Sequence, residues 1–187
     1  MSGLLKLRQF AVSNRWVGDI MSDKATDKPL RVRMPIGIDY KWCAGPASTD
    51  YLTGLKEGRL FGRRCPVCEL VYFPPRNGVC ARDGVMLGES VEVGPKGTIT
   101  TFCIVNVPFL GQTIKLPYVA ATIILDGAHL GFSHLIQEVE ATDVRMGMRV
   151  EPVWRDKSEW DYSLENISHF RPTGEPDAPF DDYARYL

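Results

Sequence analysis

The sequence lacks an excess of charge of either sign. It has 22 lysine and arginine residues against 23 aspartate and glutamate residues, so its formal net charge is -1. Proteins that bind nucleic acid usually carry a basic excess, because contacts to phosphate groups dominate their affinity. The composition therefore argues against a nucleic-acid partner.

Long hydrophobic runs are also missing. No stretch approaches the roughly 18 apolar residues that a membrane-spanning helix needs. The start of the chain, MSGLLKLRQFAV, lacks the apolar core and cleavage site of a secretory signal. We therefore expect a cytoplasmic protein with no membrane partner. A length of 187 residues, 44% of them hydrophobic, is enough to bury a core.

Familiar catalytic motifs are absent as well. The sequence has no Walker loop, no GxGxxG after a strand, no GxSxG elbow and no HExxH. Its three histidines, His129, His134 and His169, are scattered along the chain. His129 and His134 are five residues apart in one predicted strand, so we expect them on opposite faces. We interpret all three as surface or barrel histidines and find no catalytic constellation.

Cysteine is the residue type with an informative pattern. Of five cysteines, Cys65, Cys68 and Cys80 fall within sixteen residues, while Cys43 and Cys103 stand apart. An odd and clustered set is more typical of metal binding in a reducing compartment than of a disulfide framework. We interpret Cys43 and Cys103 as small hydrophobic residues, with Cys43 as a less favoured spare ligand.

The cluster contains two pairs with the same spacing, Cys65-x-x-Cys68 and Cys80-x-x-Asp83. Two such pairs can close a tetrahedron of ligands, and thiolates favour zinc or iron. A ligand set without an open position predicts a structural site rather than a catalytic one. Two alternatives stay open: a ribbon that folds without metal, and a redox-active Cys65–Cys68 pair outside its usual βαβ context.

We predict four segments along the chain. They are an N-terminal arm over 1–47, a helix with a zinc ribbon over 48–86, a β-barrel over 87–173 and an extended tail over 174–187. The helix is expected at 48–58, with Ser48 or Thr49 as its N-cap and Gly58 as its C-cap.

The barrel segment is rich in β-branched and aromatic residues. An alternating pattern at 87–93 is followed by predicted strands at 98–107, 118–126, 129–139, 148–154 and 162–170. The Asp126-Gly127 pair predicts a tight hairpin turn, and 141–147 predicts at most one helical turn. About five strands with one helical insert favour a mainly β chain with an OB-fold barrel, and an antiparallel β-sandwich is the alternative.

Several motifs carry a resemblance to a known family. They are Leu55-Lys56-Glu57-Gly58-Arg59-Leu60, Gly62-Arg63-Arg64-Cys65-Pro66-Val67-Cys68, Val71-Tyr72-Phe73-Pro74-Pro75-Arg76 with Cys80, Gly97-Thr98-Ile99-Thr100-Thr101-Phe102, Pro117-Tyr118-Val119-Ala120, Ile124-Leu125-Asp126-Gly127, Val144-Arg145-Met146-Gly147-Met148-Arg149-Val150 and Ile167-Ser168-His169-Phe170-Arg171-Pro172. Together, over about 48–173, they resemble the thiolase-associated rubredoxin-like zinc-ribbon/OB-fold family. Asp83 departs from the family's usual fourth cysteine.

The resemblance implies a non-catalytic accessory subunit. Its partner would be a thiolase-superfamily acyl-CoA enzyme, either a thiolase or a thiolase-like retro-aldolase in steroid or lipid side-chain degradation. The partner would supply the catalytic residues in a hetero-oligomer, expected as 2:2, with acyl-CoA at the interface. The implied cofactor is a structural zinc ion, with iron as the alternative, on Cys65, Cys68, Cys80 and Asp83.

Two other functions are considered beside this one. The first is a nucleic-acid-binding OB module, which the neutral charge disfavours. The second is a stand-alone acyl-CoA-binding protein, in which Arg63, Arg64 and Arg76 would contact the CoA phosphates.

Overall fold

The structure, a computed structural model, describes residues 32, 34, 37–38, 40–109 and 111–187. Most of the predicted N-terminal arm therefore lies outside the described residues. Residues 42–108 and 113–187 form one compact unit. In the described part of the chain, no helix is long and apolar enough to cross a membrane.

Helix α1 spans Gly45–Glu57, so it begins three residues before the predicted start. A proline, Pro46, lies in its first turn, where its missing N–H leaves no bond unmade. The predicted cap at Ser48 or Thr49 is wrong: the Thr49 hydroxyl donates to the carbonyl oxygen of the first helical residue at 2.6 Å, inside the helix. Gly58 ends the helix in the left-handed conformation, with φ of 77°, as predicted.

A small antiparallel sheet follows α1. Its strands are β1 (Phe61–Arg64), β2 (Val71–Tyr72) and β3 (Ser90–Glu92), in the order β2-β1-β3. The β pattern predicted at 87–93 corresponds to β3, which pairs with β1 of this sheet and not with the barrel. The chain therefore returns to the ribbon after the second ligand pair before it enters the barrel.

The barrel is closed and, within the described residues, has five strands. They are β4 (Gly97–Val105), β5 (Tyr118–Leu125), β6 (Phe132–Ile136), β7 (Arg149–Trp154) and β8 (Ile167–Pro172). The order around the barrel is β4-β5-β6-β8-β7, with β6 and β8 parallel and the other pairs antiparallel. The mainly β chain with a five-stranded OB-fold barrel is confirmed, and the β-sandwich alternative is wrong.

The turns between the barrel strands lie close to their predicted positions, although several strand bounds differ. Gly127, with φ of 85°, makes the predicted tight turn between β5 and β6. Strand β6 is shorter than the predicted 129–139, and the predicted turn at 141–147 is a single 3₁₀ turn at Ala141–Asp143. The last predicted strand starts only at Ile167, since Leu164–Asn166 is also a 3₁₀ turn.

The tail after the barrel is not extended throughout, which corrects the prediction for 174–187. It contains helix α2 (Phe180–Tyr183), and Tyr183 is buried. The Ala178 N–H donates to the Gly147 carbonyl oxygen at 2.8 Å. A side chain at Gly147 would meet that backbone and the Tyr183 ring, so the glycine allows the tail to pack against the barrel.

A chain of aromatic rings runs through the core. Tyr51 of α1 contacts Phe73 of the ribbon, with ring centroids 5.5 Å apart. Phe73 contacts Phe132 of β6 at 5.2 Å, and Phe132 contacts Phe170 of β8 at 5.8 Å. Burial raises the pKa of Tyr51 to about 12. Helix, ribbon and barrel therefore share one hydrophobic core.

Asn166 is a buried polar link between α1 and the barrel. Its side-chain amide donates to the carbonyl oxygens of Leu55, at 3.0 Å, and of Asp161, at 2.6 Å.

We expect Asn166→Ala to lower the free energy of unfolding by about 2 kcal/mol, because both carbonyls lose a buried donor. Urea denaturation measures this, with the exposed Asn106→Ala as the control. Equal effects of the two substitutions would contradict it.

Candidate metal centre

The first ligand pair lies in a tight turn directly after β1. The Cys65 N–H donates to the Leu70 carbonyl oxygen at 2.9 Å, and the Glu69 N–H donates to the Cys65 carbonyl oxygen at 3.1 Å. Glu69 has a positive φ of 61°, which folds the backbone back on itself. The turn brings the thiol of Cys68 to the same side as that of Cys65.

The second pair lies in a turn of the same kind. The Cys80 N–H donates to the Val85 carbonyl oxygen at 2.8 Å, and the Gly84 N–H donates to the Cys80 carbonyl oxygen at 2.9 Å. Gly84, with φ of 68°, stands where the first turn has its positive-φ residue. Asp83 therefore occupies the position that the second cysteine occupies in the first turn.

The two turns bring their four side chains together. The ligand atoms of Cys65, Cys68, Cys80 and Asp83 all lie within 4.8 Å of one another. The Sγ atoms of Cys68 and Cys80 are 3.7 Å apart, and Asp83 Oδ2 is 3.4 Å from the Sγ atoms of both Cys65 and Cys80. Zinc–sulfur bonds of about 2.3 Å in a tetrahedron would separate two sulfurs by about 3.8 Å. The donors and their spacing fit one tetrahedral metal ion.

Neighbouring groups orient the sulfurs. The Tyr72 hydroxyl lies 3.2 Å from Cys80 Sγ and accepts a bond from the Ala81 N–H at 3.2 Å. Backbone N–H groups also donate to the sulfurs, from Val67 to Cys65 at 3.4 Å and from Asp83 to Cys80 at 3.4 Å. Our sequence reasoning missed Tyr72, whose only signal was its place in the strand between the two ligand pairs.

The pKa values of Cys68, Cys80 and Asp83 are shifted from their ordinary values. The hydrogen bond with Asp83 raises the pKa of the Cys68 thiol to about 12, and the same bond lowers the pKa of Asp83. Burial opposes ionisation of the Cys80 thiol, but hydrogen bonds from Tyr72 and from the backbone outweigh it and lower its pKa. The Cys68 thiol therefore keeps its proton beside the Asp83 carboxylate, and a bound cation would displace that proton.

The chemistry of the donors limits what the centre can do. Three sulfurs suit zinc or iron, and they do not suit magnesium or calcium. Cys65 and Cys80 are buried, with 0% and 1% of their surface exposed. Four protein donors fill a tetrahedral ion, so a metal here would fasten the two turns together and would offer no position to a substrate.

Comparisons with known proteins agree with both halves of this architecture. The family described as ChsH2, rubredoxin-like zinc ribbon domain, matches residues 52–85, and the one described as ChsH2, C-terminal OB-fold domain, matches residues 90–155. A DUF35 domain-containing scaffold protein from Methanocaldococcus jannaschii is 35% identical over a 99-residue alignment, which covers 51% of this chain and 67% of the relative. The chain belongs to the DUF35 family. The resemblance seen in the sequence is thereby confirmed.

Solved DUF35 structures share the fold. A chain of the Ltp2-ChsH2(DUF35) aldolase matches with a TM-score of 0.51 and 21% identity, over 67% of this chain and 93% of that one. A DUF35 family protein from Sulfolobus solfataricus matches with a TM-score of 0.51 and 19% identity, over 68% of this chain and 84% of that one. At these identities the matches show the fold alone.

The three arginines predicted to contact CoA are placed differently from one another in this DUF35 chain. Arg63 and Arg64 are neighbours in β1, so they point to opposite faces of the sheet. Arg63 pairs with Asp50, and the Arg64 Nε donates to Glu89 at 2.9 Å. Arg76 is exposed in a separate 3₁₀ turn. Two of the three cations are therefore already neutralised by carboxylates.

The histidines lie outside the sulfur cluster. His129 precedes β6, so the prediction that His129 and His134 lie in one strand was wrong. The His129 Nδ1 accepts from the Val71 N–H at 3.0 Å, which ties the β5–β6 turn to the ribbon. Burial lowers the pKa of His129 and of His134, and His169 Nε2 lies 3.0 Å from a carboxylate oxygen of Glu138.

Asp83 is the weakest donor of the set, because a carboxylate is harder than a thiolate. We expect Asp83→Ala to weaken zinc binding roughly 100-fold, equivalent to about 2.7 kcal/mol, while Asp83→Cys strengthens it. Competition with a chromophoric chelator measures both, and Arg82→Ala, at an exposed neighbour, is the control. Unchanged affinity in Asp83→Ala would show that the carboxylate is not a ligand.

Proposed function

We propose that this DUF35 protein is a non-catalytic accessory subunit of a thiolase-superfamily acyl-CoA enzyme. The observation that carries the proposal is the 35% identity to a protein described as a scaffold, over 67% of that protein's length. The partner class is inferred from the shared fold with the ChsH2 chain of an aldolase. In this proposal the chain holds an assembly together and its partner performs the chemistry.

The metal centre supports a scaffolding role. We infer that Cys65, Cys68, Cys80 and Asp83 hold a structural zinc ion, with iron as the alternative. The ion would fix a ribbon whose strands are four, two and three residues long, which is too short for an independent sheet. Through the His129–Val71 hydrogen bonds, the fixed ribbon is held against the barrel.

The finer parts of the proposal follow from family resemblance. The partner would be a thiolase or a thiolase-like retro-aldolase acting on a steroid or lipid CoA thioester in the cytoplasm. We propose a 2:2 assembly with acyl-CoA at the interface. Of the predicted CoA contacts, exposed Arg76 is the one we favour, since Arg63 and Arg64 would first have to leave Asp50 and Glu89.

Co-expression with the thiolase-like protein encoded nearest to it tests the proposal. We expect the two chains to co-elute in a fixed ratio by native mass spectrometry. We also expect the partner's cleavage or condensation of an acyl-CoA to fall when this chain is omitted. A 21.0 kDa monomer that leaves the partner's activity unchanged would contradict the proposal.

A further inference from the structure

One outer surface of the barrel is formed by the antiparallel strands β4, β5 and β6. Their register places Cys103, Ala120 and Leu135 side by side in one row. Adjacent positions on these strands, such as Ala121 and Ile136, are buried in the core. Because side chains alternate along a strand, this row faces away from the barrel interior.

Two flanking rows have the same orientation. Thr101, Thr122 and Ser133 form the row on one side. Val105 and Tyr118 form the row on the other side. None of these eight side chains is an acid, a lysine or an arginine, and we call them the neutral face.

The neutral face differs from the rest of the barrel exterior. With 24% charged residues in the sequence, eight positions would hold about two charges. On β7 and β8 the barrel follows that expectation: Glu151 and Arg171 are cross-strand partners and form an ion pair at 3.0 Å. Protein interfaces are marked by the depletion of charge at their centre. The neutral face has that property.

The neutral face is partly open to solvent. Cys103, Thr101 and Ser133 are exposed, and the other five side chains are half-buried. Just beyond the end of β4, Val107 is 74% exposed. From the strand spacing and the two-residue repeat, the eight positions cover about 260 Å².

The area of the neutral face distinguishes between two possible occupants, a second copy of this chain and a larger partner protein. Two copies of the chain packed through their neutral faces would bury about 500 Å² in total, which is in the range of crystal-packing contacts. A stable complex needs about 800 Å² on each partner, with an apolar centre and a polar rim. A larger partner that extends beyond the face meets that requirement, and a second copy on the face alone does not.

We propose that the neutral face is the uncharged centre of the contact with the thiolase-like partner, and that the partner's matching surface is uncharged. This inference rests on the proposed function. Beyond the proposed function, it names the surface of this chain that the partner covers. A charge placed in the central row would be buried without a counter-charge when the complex forms.

The test compares two lysine substitutions at exposed positions. Cys103→Lys adds one charge in the central row of the neutral face. Phe180→Lys adds the same charge on α2, at a side chain that is 58% exposed. Affinity is measured by calorimetry with the thiolase-like protein that co-elutes with the wild type. We expect Cys103→Lys to bind roughly 30-fold more weakly and Phe180→Lys to bind as the wild type does.

A second measurement covers the case in which Cys103→Lys does not fold by circular dichroism. Wild-type chain is treated with a maleimide, alone and in the complex, and the label is located by peptide mass spectrometry. We expect the complex to protect Cys103. Equal labelling with and without the partner would overturn the inference, as would unchanged affinity of a folded Cys103→Lys.

The outcomes separate this inference from the proposed function. If the wild type binds no thiolase-like protein, the proposed function fails and the inference fails with it. If the wild type binds and Cys103 stays reactive, only the inference fails. Protection of Cys103 in the chain alone at rising concentration would assign the face to a second copy and would also overturn it.

Discussion

Replacing Cys65 with alanine is expected to abolish stoichiometric metal binding and to unfold the ribbon. Cys65 is completely buried, and its sulfur lies 3.4 Å from the carboxylate oxygen of Asp83. In small zinc domains the ion contributes roughly 10–16 kcal/mol of apparent binding free energy, and that free energy is also folding free energy. Without the ion, only three short strands and their core contacts would hold the ribbon, and strands of this length do not form an ordered sheet alone.

Elemental analysis and hydrogen exchange measure the two effects separately. Cys65→Ala should fall from one zinc per chain to almost none, with loss of amide protection in β1, β2 and β3. Cys43→Ala is the matched control, because Cys43 is exposed and outside the cluster. A Cys65→Ala chain that kept its metal and its protected ribbon would contradict the assignment.

Replacing Phe73 with alanine is expected to destabilise the whole unit by about 3–5 kcal/mol. Phe73 has no exposed surface and packs edge to face between Tyr51 and Phe132. Alanine would leave a cavity at the junction of helix, ribbon and barrel. The ribbon and barrel would then unfold together at a lower denaturant concentration.

Chemical denaturation followed by circular dichroism measures this loss. Phe180→Ala is the matched control, since Phe180 is 58% exposed on α2. We expect Phe180→Ala to lower the free energy of unfolding by only about 1 kcal/mol, because its ring contacts Tyr183 edge to face. Similar losses in both variants would show that the aromatic chain does not join the ribbon to the barrel.

The strands were the part of the fold that local sequence patterns predicted best. Residues such as those of β5 alternate in burial, and Asp126-Gly127 marks the turn that follows. The pattern did not show that β3 pairs with β1 in the ribbon, because strand pairing depends on which edge is free in the folded chain. Closure of the barrel was expected from the strand count and family resemblance together.

Two predictions were wrong, the N-cap of α1 and the extended tail. The first error has a local cause and the second has a tertiary cause. At α1, the capping preference of Ser48 was outweighed by Pro46, whose fixed φ suits the first helical turn. At the tail, the helix at Phe180–Tyr183 depends on burial of Tyr183 against Gly147. That contact joins residues far apart in the sequence, so the Pro- and Asp-rich composition could not reveal it.

The sequence predicted the four donors of the candidate centre because their spacing is local. The structure places Cys65, Cys68, Cys80 and Asp83 together. The supporting groups were not predictable in the same way. Tyr72 reaches Cys80 across the ribbon, and His129 bonds to Val71 from 58 residues away. The carboxylates opposite Arg63 and Arg64 likewise come from other elements.

Zinc-edge X-ray absorption of the purified, metal-loaded chain tests the central claim most directly. A closed structural site on these residues predicts one zinc per chain with three sulfur neighbours at about 2.3 Å and one oxygen neighbour at about 2.0–2.2 Å. The oxygen shell should be replaced by a fourth sulfur in Asp83→Cys. A shell of several oxygen or nitrogen neighbours with fewer than three sulfurs would contradict the claim that this ribbon is closed by Cys65, Cys68, Cys80 and Asp83.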